Sequence, residues 1–447
     1  MSKVRIYSQR VLILSGLMAL SAGCTVVGPD YERPGIDVPS AYKEANQSKR
    51  HSALVASATT RWWEIYGDEQ LNGLVDQVAS KNQSLQVAEA RVRRAQAMLE
   101  AAKASQSPSI FIGGTNDLGL VANWEIDLWG RIKRTVEASG ANAEASIADL
   151  AAARLSMQAQ VAQSYFQLRV QDDGIRVLKG TITSYEKLLT IARNQYAVGV
   201  VSRGSVAQVQ AQLGVVQAQL YNSLVARAQI EHAIAVMIGK APADFSIAAA
   251  PFDVKVPEVP PLMPADLLER RPDIAAAERR MAAANAQIGA AEAAAYPALD
   301  LFGGVSIAKG WLGGSKVLAP LYPQEIPQGK REGAVASYDE AVADYRQTVL
   351  NGFREVEDNL VALEILGEAA AAQAEAVKAA HESMRITNNQ YRAGIVSYLS
   401  VVAAQNAALD NDRAALDIRG RRLFASVTLI KAIGGGWEVA VPKAEKD

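Results

Sequence analysis

The chain carries one thiol. Cys24 is the only cysteine in 447 residues, so no intrachain disulfide can form and the sulfur is left for modification. It stands directly behind a processing signal: Lys3, Arg5 and Arg10 precede the apolar run Val11–Leu20, and the small residues Ser21, Ala22 and Gly23 follow. That run is too short to span a bilayer as a mature helix. Other chemistry-bearing residues are scattered. His51, His232 and His381 lie far apart, none with a partner at ligand spacing, so neither a metal nor a cofactor is expected. The chain has no nucleophile–base constellation and no Gly-rich phosphate loop, which argues against an enzyme. A formal net charge of -1 gives no basic surface for nucleic acid.

A second group of polar residues stands on a period of two. Leu120, Ala122, Trp124, Ile126 and Leu128 alternate with Val121, Asn123, Glu125 and Asp127, the pattern of a strand with one apolar face and one partly acidic face. Ala298–Phe302 alternates more weakly. Each half of the chain thus offers two short strands, about 109–114 with 119–128 and 298–306 with 315–322. One reading is a small hairpin packed on helices. The sharper one is a membrane hairpin with Asn123, Glu125 and Asp127 toward a lumen. Four strands cannot close a barrel and lipid tolerates no open sheet edge, so several chains would share one wall.

The elements that position these residues occur twice. Asn194–Ser202 (Asn-Gln-Tyr-Ala-Val-Gly-Val-Val-Ser) returns as Asn389–Ser397 (Asn-Gln-Tyr-Arg-Ala-Gly-Ile-Val-Ser). Upstream, Ala88-Glu89, Ala101-Ala102 and Pro108 return as Ala277-Glu278, Ala290-Ala291 and Pro297. A unit of this length is too long for a solenoid and implies two similar halves. In each tip turn, Gly199-Val200-Val201-Ser202 and Gly394-Ile395-Val396-Ser397, the glycine supplies positive φ. Tyr196 and Tyr391 precede the glycines by three residues and are expected to pack there or to line an aperture.

Hydrophobic content of 49% with only 6% aromatics suits long, closely packed helices. Leu71, Leu74, Val75 and Val78 fall at helical spacing, and a second run covers Leu85–Lys103. Helical sequence continues from Arg131 to about Gly199, then from Ser205 to Ile238, where Val206, Val209, Leu213, Val216 and Leu220 form a coiled-coil seam. The second half predicts helix 265–295, strands, helices to Arg392 and helix 398–433, with Asn406 and Arg413 interrupting its seam. Arg270-Arg271-Pro272-Asp273 reads as a helix start rather than a phosphate site, and Glu355, Glu357 and Asp358 as a solvated face. The expected organisation is a signal (1–23), an N-terminal arm (24–60), a first repeat (61–240), a Pro-rich linker (241–264), a second repeat (265–434) and a tail (435–447). The fold class is mainly α with a small β part.

Ser-Ala-Gly-Cys24 after the apolar run resembles a bacterial lipoprotein cleavage site; a plain secretory signal before a chance cysteine is the alternative. Further on come Val27-Gly28-Pro29-Asp30-Tyr31-Glu32-Arg33-Pro34, then Trp62-Trp63 with Asp68, Leu71 and Asn82, then Trp124-Glu125-Ile126-Asp127-Leu128-Trp129-Gly130-Arg131. Leu267-Leu268-Glu269-Arg270-Arg271-Pro272-Asp273-Ile274, Ala295-Tyr296-Pro297, Tyr345–Leu350 and Phe353–Asp358 complete an ordered series. Together they resemble the lipoprotein branch of TolC-like outer-membrane efflux channels. That resemblance implies acylation at Cys24 and a homotrimer whose four strands per chain build a twelve-strand barrel in outer-membrane lipid. It also implies long antiparallel hairpins forming an α-barrel, a periplasmic adaptor at the two tip turns and an inner-membrane RND-type pump. Family aspartates near the tips are matched here by Ser205, Ser400 and Ala403, and the strand regions are shortened. A non-conducting envelope tether, a periplasmic enzyme and the channel of a metal-ion or protein exporter stand as alternatives.

Overall fold

A computed structural model describes residues 26–44, 61–113, 119–257, 264–306, 310–318 and 325–436. Cys24, the signal and most of the tail lie outside the described residues. Eight α-helices are described: α1 (Glu69–Lys81), α2 (Gln83–Ala104), α3 (Arg131–Ala197), α4 (Arg203–Met237), α5 (Pro264–Arg270), α6 (Pro272–Ala293), α7 (Glu325–Arg392) and α8 (Tyr398–Ala432). Four strands accompany them: β1 (Ser109–Gly113), β2 (Gly119–Ile126), β3 (Ala298–Ser306) and β4 (Gly310–Leu318). The chain divides into two compact units, and α3 and α7 contribute residues to both. No described helix is long and apolar enough to cross a membrane.

The first unit comprises residues 1–37, 87–151 and 272–351. Its sheet is antiparallel in the order β1-β2-β3-β4, leaving β1 and β4 as edges. Directly opposed residues share a face. Ile110 lies opposite Ala122, Trp124 opposite Leu301 and Ile126 opposite Leu299, which makes one face apolar. The other joins Ser109 to Asn123 and Glu125 to Asp300, but also Phe111 to Val121. The second face is therefore mixed, with its charged residues Glu125 and Asp300 at the end that adjoins the helices. β4 begins at Gly310, five positions before the expected Ser315, because Gly313 and Gly314 pair within the ladder with Gly303 and Phe302 instead of forming a turn. In the same unit, Ala141, Ala282 and Ala283 make a small alanine core with Tyr31 against it.

The second unit comprises residues 38–86, 152–271 and 352–447. Asp68 caps α1 by accepting the Leu71 N–H at 3.0 Å, and Leu71, Leu74, Val75 and Val78 are all buried, as their spacing requires. Asn82 accepts the Leu85 N–H and donates to the Met237 carbonyl, so one side chain caps α2 and ties it to the end of α4. Trp62, Trp63, Tyr66, Tyr165, Phe166 and Phe252 join these residues in one core. A second core holds the coiled-coil seam: Val209, Leu213 and Val216 are buried, with Val206 and Leu220 packed on them. The helix expected over 265–295 is two helices. Pro272 lacks an N–H and its ring restricts the preceding residue, so α5 ends at Arg270 and Pro272 starts α6. Glu355 and Glu357 are not a solvated face: Glu355 holds Arg271 at 2.9 Å, and Glu357 accepts the backbone N–H groups of Lys43 and Glu44.

Candidate functional site

The strand-to-helix junction after β2 explains the densest motif. The Trp124 indole donates to the Gln106 carbonyl at 3.0 Å, closing the hairpin against the end of α2. Glu125 receives Arg131 through both oxygens, at 2.8 and 2.6 Å, so its charge is compensated on the polar face. Asp127 lies one residue past β2 and accepts the Lys133 N–H at 2.7 Å. It serves the orphan donors of α3 rather than a strand face. Trp129 stacks on Tyr296 with ring centroids 4.6 Å apart and donates to the Pro297 carbonyl. Of the three residues expected toward a lumen, Asn123 and Glu125 share a strand face and Asp127 does not.

The N-terminal arm is a strap laid on this unit. Val27 donates to the Trp129 carbonyl at 3.1 Å, and Gly28, at φ 94°, approaches Gly289 so closely that a Cβ would have no room. Arg134, almost fully buried, donates to the Val27 and Gly28 carbonyls and pairs with Asp30 and Glu137. Tyr31 donates to Glu278, and Asn285 donates to the Pro29 carbonyl. These contacts show why Gly28, Asp30 and Tyr31 stand together in the sequence.

The two tip turns have matching backbones. Gly199 at φ 77° donates to the Tyr196 carbonyl and Val200 to that of Gln195; Gly394 at φ 74° and Ile395 do the same to Tyr391 and Gln390. Both are Schellman stops, in which glycine takes the left-handed position that other residues avoid. The side chains differ. Tyr391 is buried, lies 6.1 Å from the buried Tyr398 and donates to Gln195 at 2.8 Å, whereas Tyr196 is exposed. The two tyrosines, alike in sequence, therefore stand in different surroundings. Ser202 caps α4 through the Ser205 N–H, while Ser397 makes no side-chain cap and leaves Ser400 bonded only to its carbonyl. Ser400 and Ala403 are exposed, Ser205 is half-buried, and Val198, Val200 and Ile395 stand well exposed at the tips.

Two sets of residues escape sequence reasoning. Gln195 gives a weak signal, since both repeats place Gln directly before the tyrosine. Arg169 and Asp172 give almost none: they form a buried pair at 3.0 Å, and Arg227 reaches the other Asp172 oxygen at 2.6 Å. Only their spacing along one helix face hints at a partnership. Behind the tips, Asn406 accepts from Tyr185 at 2.8 Å and Gln212 at 3.1 Å, so the polar residue that breaks the second seam is satisfied.

The family model described as outer membrane efflux protein matches residues 74–240 and 263–435. The pyoverdine export outer membrane protein OpmQ of Pseudomonas aeruginosa is 27% identical over 94% of this chain and 97% of its own length. The probable outer membrane lipoprotein SilC of Salmonella typhimurium is 25% identical over 96% of this chain and 99% of its own. Among solved structures, the outer-membrane channel OprN superposes with a TM-score of 0.84 at 27% identity, covering 92% of this chain and 99% of that one. The chain therefore belongs to the outer membrane efflux protein family and is an outer-membrane efflux channel.

Proposed function

We propose that three copies of the chain close a shared twelve-strand β-barrel in the outer membrane and continue it as a helical conduit through the periplasm. One observation carries this reading. Among the described residues, each chain has one four-stranded sheet with β1 and β4 as its edges, one apolar face and a second face with Asn123, Glu125 and Asp300 on it. Lipid leaves no edge unpaired, and a lumen gives the polar face its use. A tether needs neither. The matching lengths of α3 and α7, at 67 and 68 residues, and of α4 and α8, at 35 each, support a two-fold internal repeat. The exposed apolar tips at Val198, Val200 and Ile395 suit docking by a periplasmic adaptor, which links the channel to an inner-membrane pump of the RND type. Drugs or other small molecules pass outward when all three parts engage.

The membrane assignment is tested by paired substitutions. Ala122→Arg, on the apolar face midway along β2, is expected to cost roughly 2–4 kcal/mol, while Asn123→Arg is tolerated. Yield and heat-resistance of the detergent-extracted trimer report the difference; equal tolerance, or a monomer by mass, would remove the barrel.

Anchoring follows the same reading. Val26 lies against Gly130 where β2 leads into α3. Cys24, two residues earlier in the sequence, is expected to be acylated after loss of residues 1–23. Three chains give a firm anchor, since one acyl group alone binds marginally. Intact mass of the purified protein decides it, and an unmodified thiol at Cys24 refutes the anchor.

A further inference from the structure

Two helices of equal length have opposite surroundings. Helix α6 spans 22 residues and buries Ile274, Met281, Ala286 and Ile288 among others. Helix α2 also spans 22 residues, yet Leu85 is its only buried residue among those described. Val87, Arg91, Arg94 and Met98 lie at i, i+4, i+7 and i+11 on α2 and are all exposed. On this face two guanidiniums stand between two large exposed apolar side chains, and those apolar side chains are ill suited to water. Arg93 is exposed beside them. None of Arg91, Arg93 and Arg94 has an ion-pair partner among the described residues.

The start of α7 is bare in the complementary sense. Ser337, Glu340 and Asp344 share one face and are exposed, as is Asp339. None of these carboxylates has an ion-pair partner among the described residues either. The α2 stretch stays net positive with Glu89 counted, and the α7 stretch stays net negative with Arg346 counted.

The sheet says where the two helices meet. Helix α2 leads directly into the edge strand β1, and the other edge strand, β4, leads into α7. If the ring of the proposed trimer closes head to tail, the β1 edge of one copy pairs with the β4 edge of the next. That pairing sets α2 beside the neighbour's α7. At 1.5 Å per residue, Arg91 and Arg94 lie about 15–20 Å from the strand end of α2, and Asp339 to Asp344 about 20–30 Å from that of α7. The depths are comparable. We propose that the bare face of α2 is covered by the start of α7 from a second copy of this chain, forming an intersubunit seam of Arg91 and Arg94 against Glu340 and Asp344. This rests on the trimeric reading above. It adds that the strand edges find their correct partners through charge, because like faces, α2 on α2 or α7 on α7, repel.

The test uses the full-length, detergent-extracted protein. Arg91→Glu with Arg94→Glu should raise the rate of trimer dissociation roughly tenfold. Adding Glu340→Arg and Asp344→Arg to the same chain restores opposite charges across the seam and should bring the rate back toward wild type. In a chain with all native charges, Ala97→Cys with Ser337→Cys should give covalent dimers and trimers with a flexible bis-maleimide, and each single cysteine should not. This pair reads the seam even where the reversed chain does not assemble. A trimeric preparation with no cross-link and an unchanged dissociation rate would overturn the seam and leave the trimer standing. A monomeric wild type would overturn both.

Discussion

Arg169→Met is expected to cost about 3–5 kcal/mol. Arg169 is buried and donates to Asp172, to the Ala248 carbonyl at 2.8 Å, to the Tyr165 hydroxyl at 3.1 Å and to Gln70. Its removal leaves Asp172 buried against Arg227 alone and strips the Ala248 carbonyl of a donor. A buried carboxylate that loses one of its two cationic partners, beside a carbonyl that loses a donor, costs more than the ion pair itself contributed. The segment 247–248 is also held by Arg227, which donates to the Ile247 carbonyl, and by Glu231, which accepts the Ile247 N–H. Loss of one of its three ties should loosen the connection between the halves first. Arg354→Met is the control: Arg354 pairs with Asp358, both side chains are mostly exposed, and such pairs contribute about 0–1 kcal/mol. Denaturant unfolding, with the rate of proteolysis within residues 241–257 as a second readout, separates the two. Equal losses for both variants would mean that the cluster is not a structural clamp.

What could be read from the sequence follows the range of each interaction. Leu71, Leu74, Val75 and Val78 declare their helix because the signal lies within eleven residues and one face does all the burying. Val209, Leu213 and Val216 declare the seam for the same reason. The strand face at Asn123 and Glu125 is legible from alternation, but Phe111 and Val121 on that face are not, since their placement depends on the register of β1 against β2. Gly313 and Gly314 look like a turn in one dimension and pair as strand in three. Glu355 and Glu357 illustrate the same limit: their partners, Arg271 and the backbone at Lys43, lie outside any local window. Tyr196 and Tyr391 are the sharpest case. Their local sequences match and their backbones match, yet one is exposed and the other buried, because Tyr398 and Gln195 surround only the second. The motifs that carry the family resemblance proved to be points of tertiary contact, with Asp68, Asn82, Glu125, Gly130 and Trp129 each making a cap, an ion pair or a close approach.

Conductance of the isolated trimer is expected to stay low and nearly constant between about pH 3 and 6, where ordinary carboxylates titrate. The reason lies in which charges surround the tips. The sequence holds no Asp or Glu from Lys187 to Ile230, and none from Ser383 to Leu409; Arg193, Arg203 and Arg392 are the charged residues nearest the turns. Guanidiniums keep their proton throughout that range. The hydrogen-bonded groups behind the tips do not titrate there either. Burial pushes the Tyr185 phenol up to about 12 and raises Tyr391 and Tyr398 as well, so all three keep their protons. The resting closure then depends on packing and on neutral bonds: Tyr391 to Gln195, joining the ends of α7 and α3, and Tyr185 and Gln212 to Asn406. Each such bond is worth about 0.5–1.5 kcal/mol, and three chains repeat it. Tyr391→Phe keeps the packing and removes one bond per chain, so it should raise open-channel events about tenfold or more without restoring pH dependence. On the proposed reading, adaptor docking at Gly199–Ser202 and Gly394–Ser397 would open the channel by binding the shifted helices better than the resting ones, a bias these weak bonds allow. Single-channel recordings decide the matter. Strong block by divalent cations, relieved by acid, would reveal a carboxylate ring at the constriction and place the closure beyond Asp410, away from the turns.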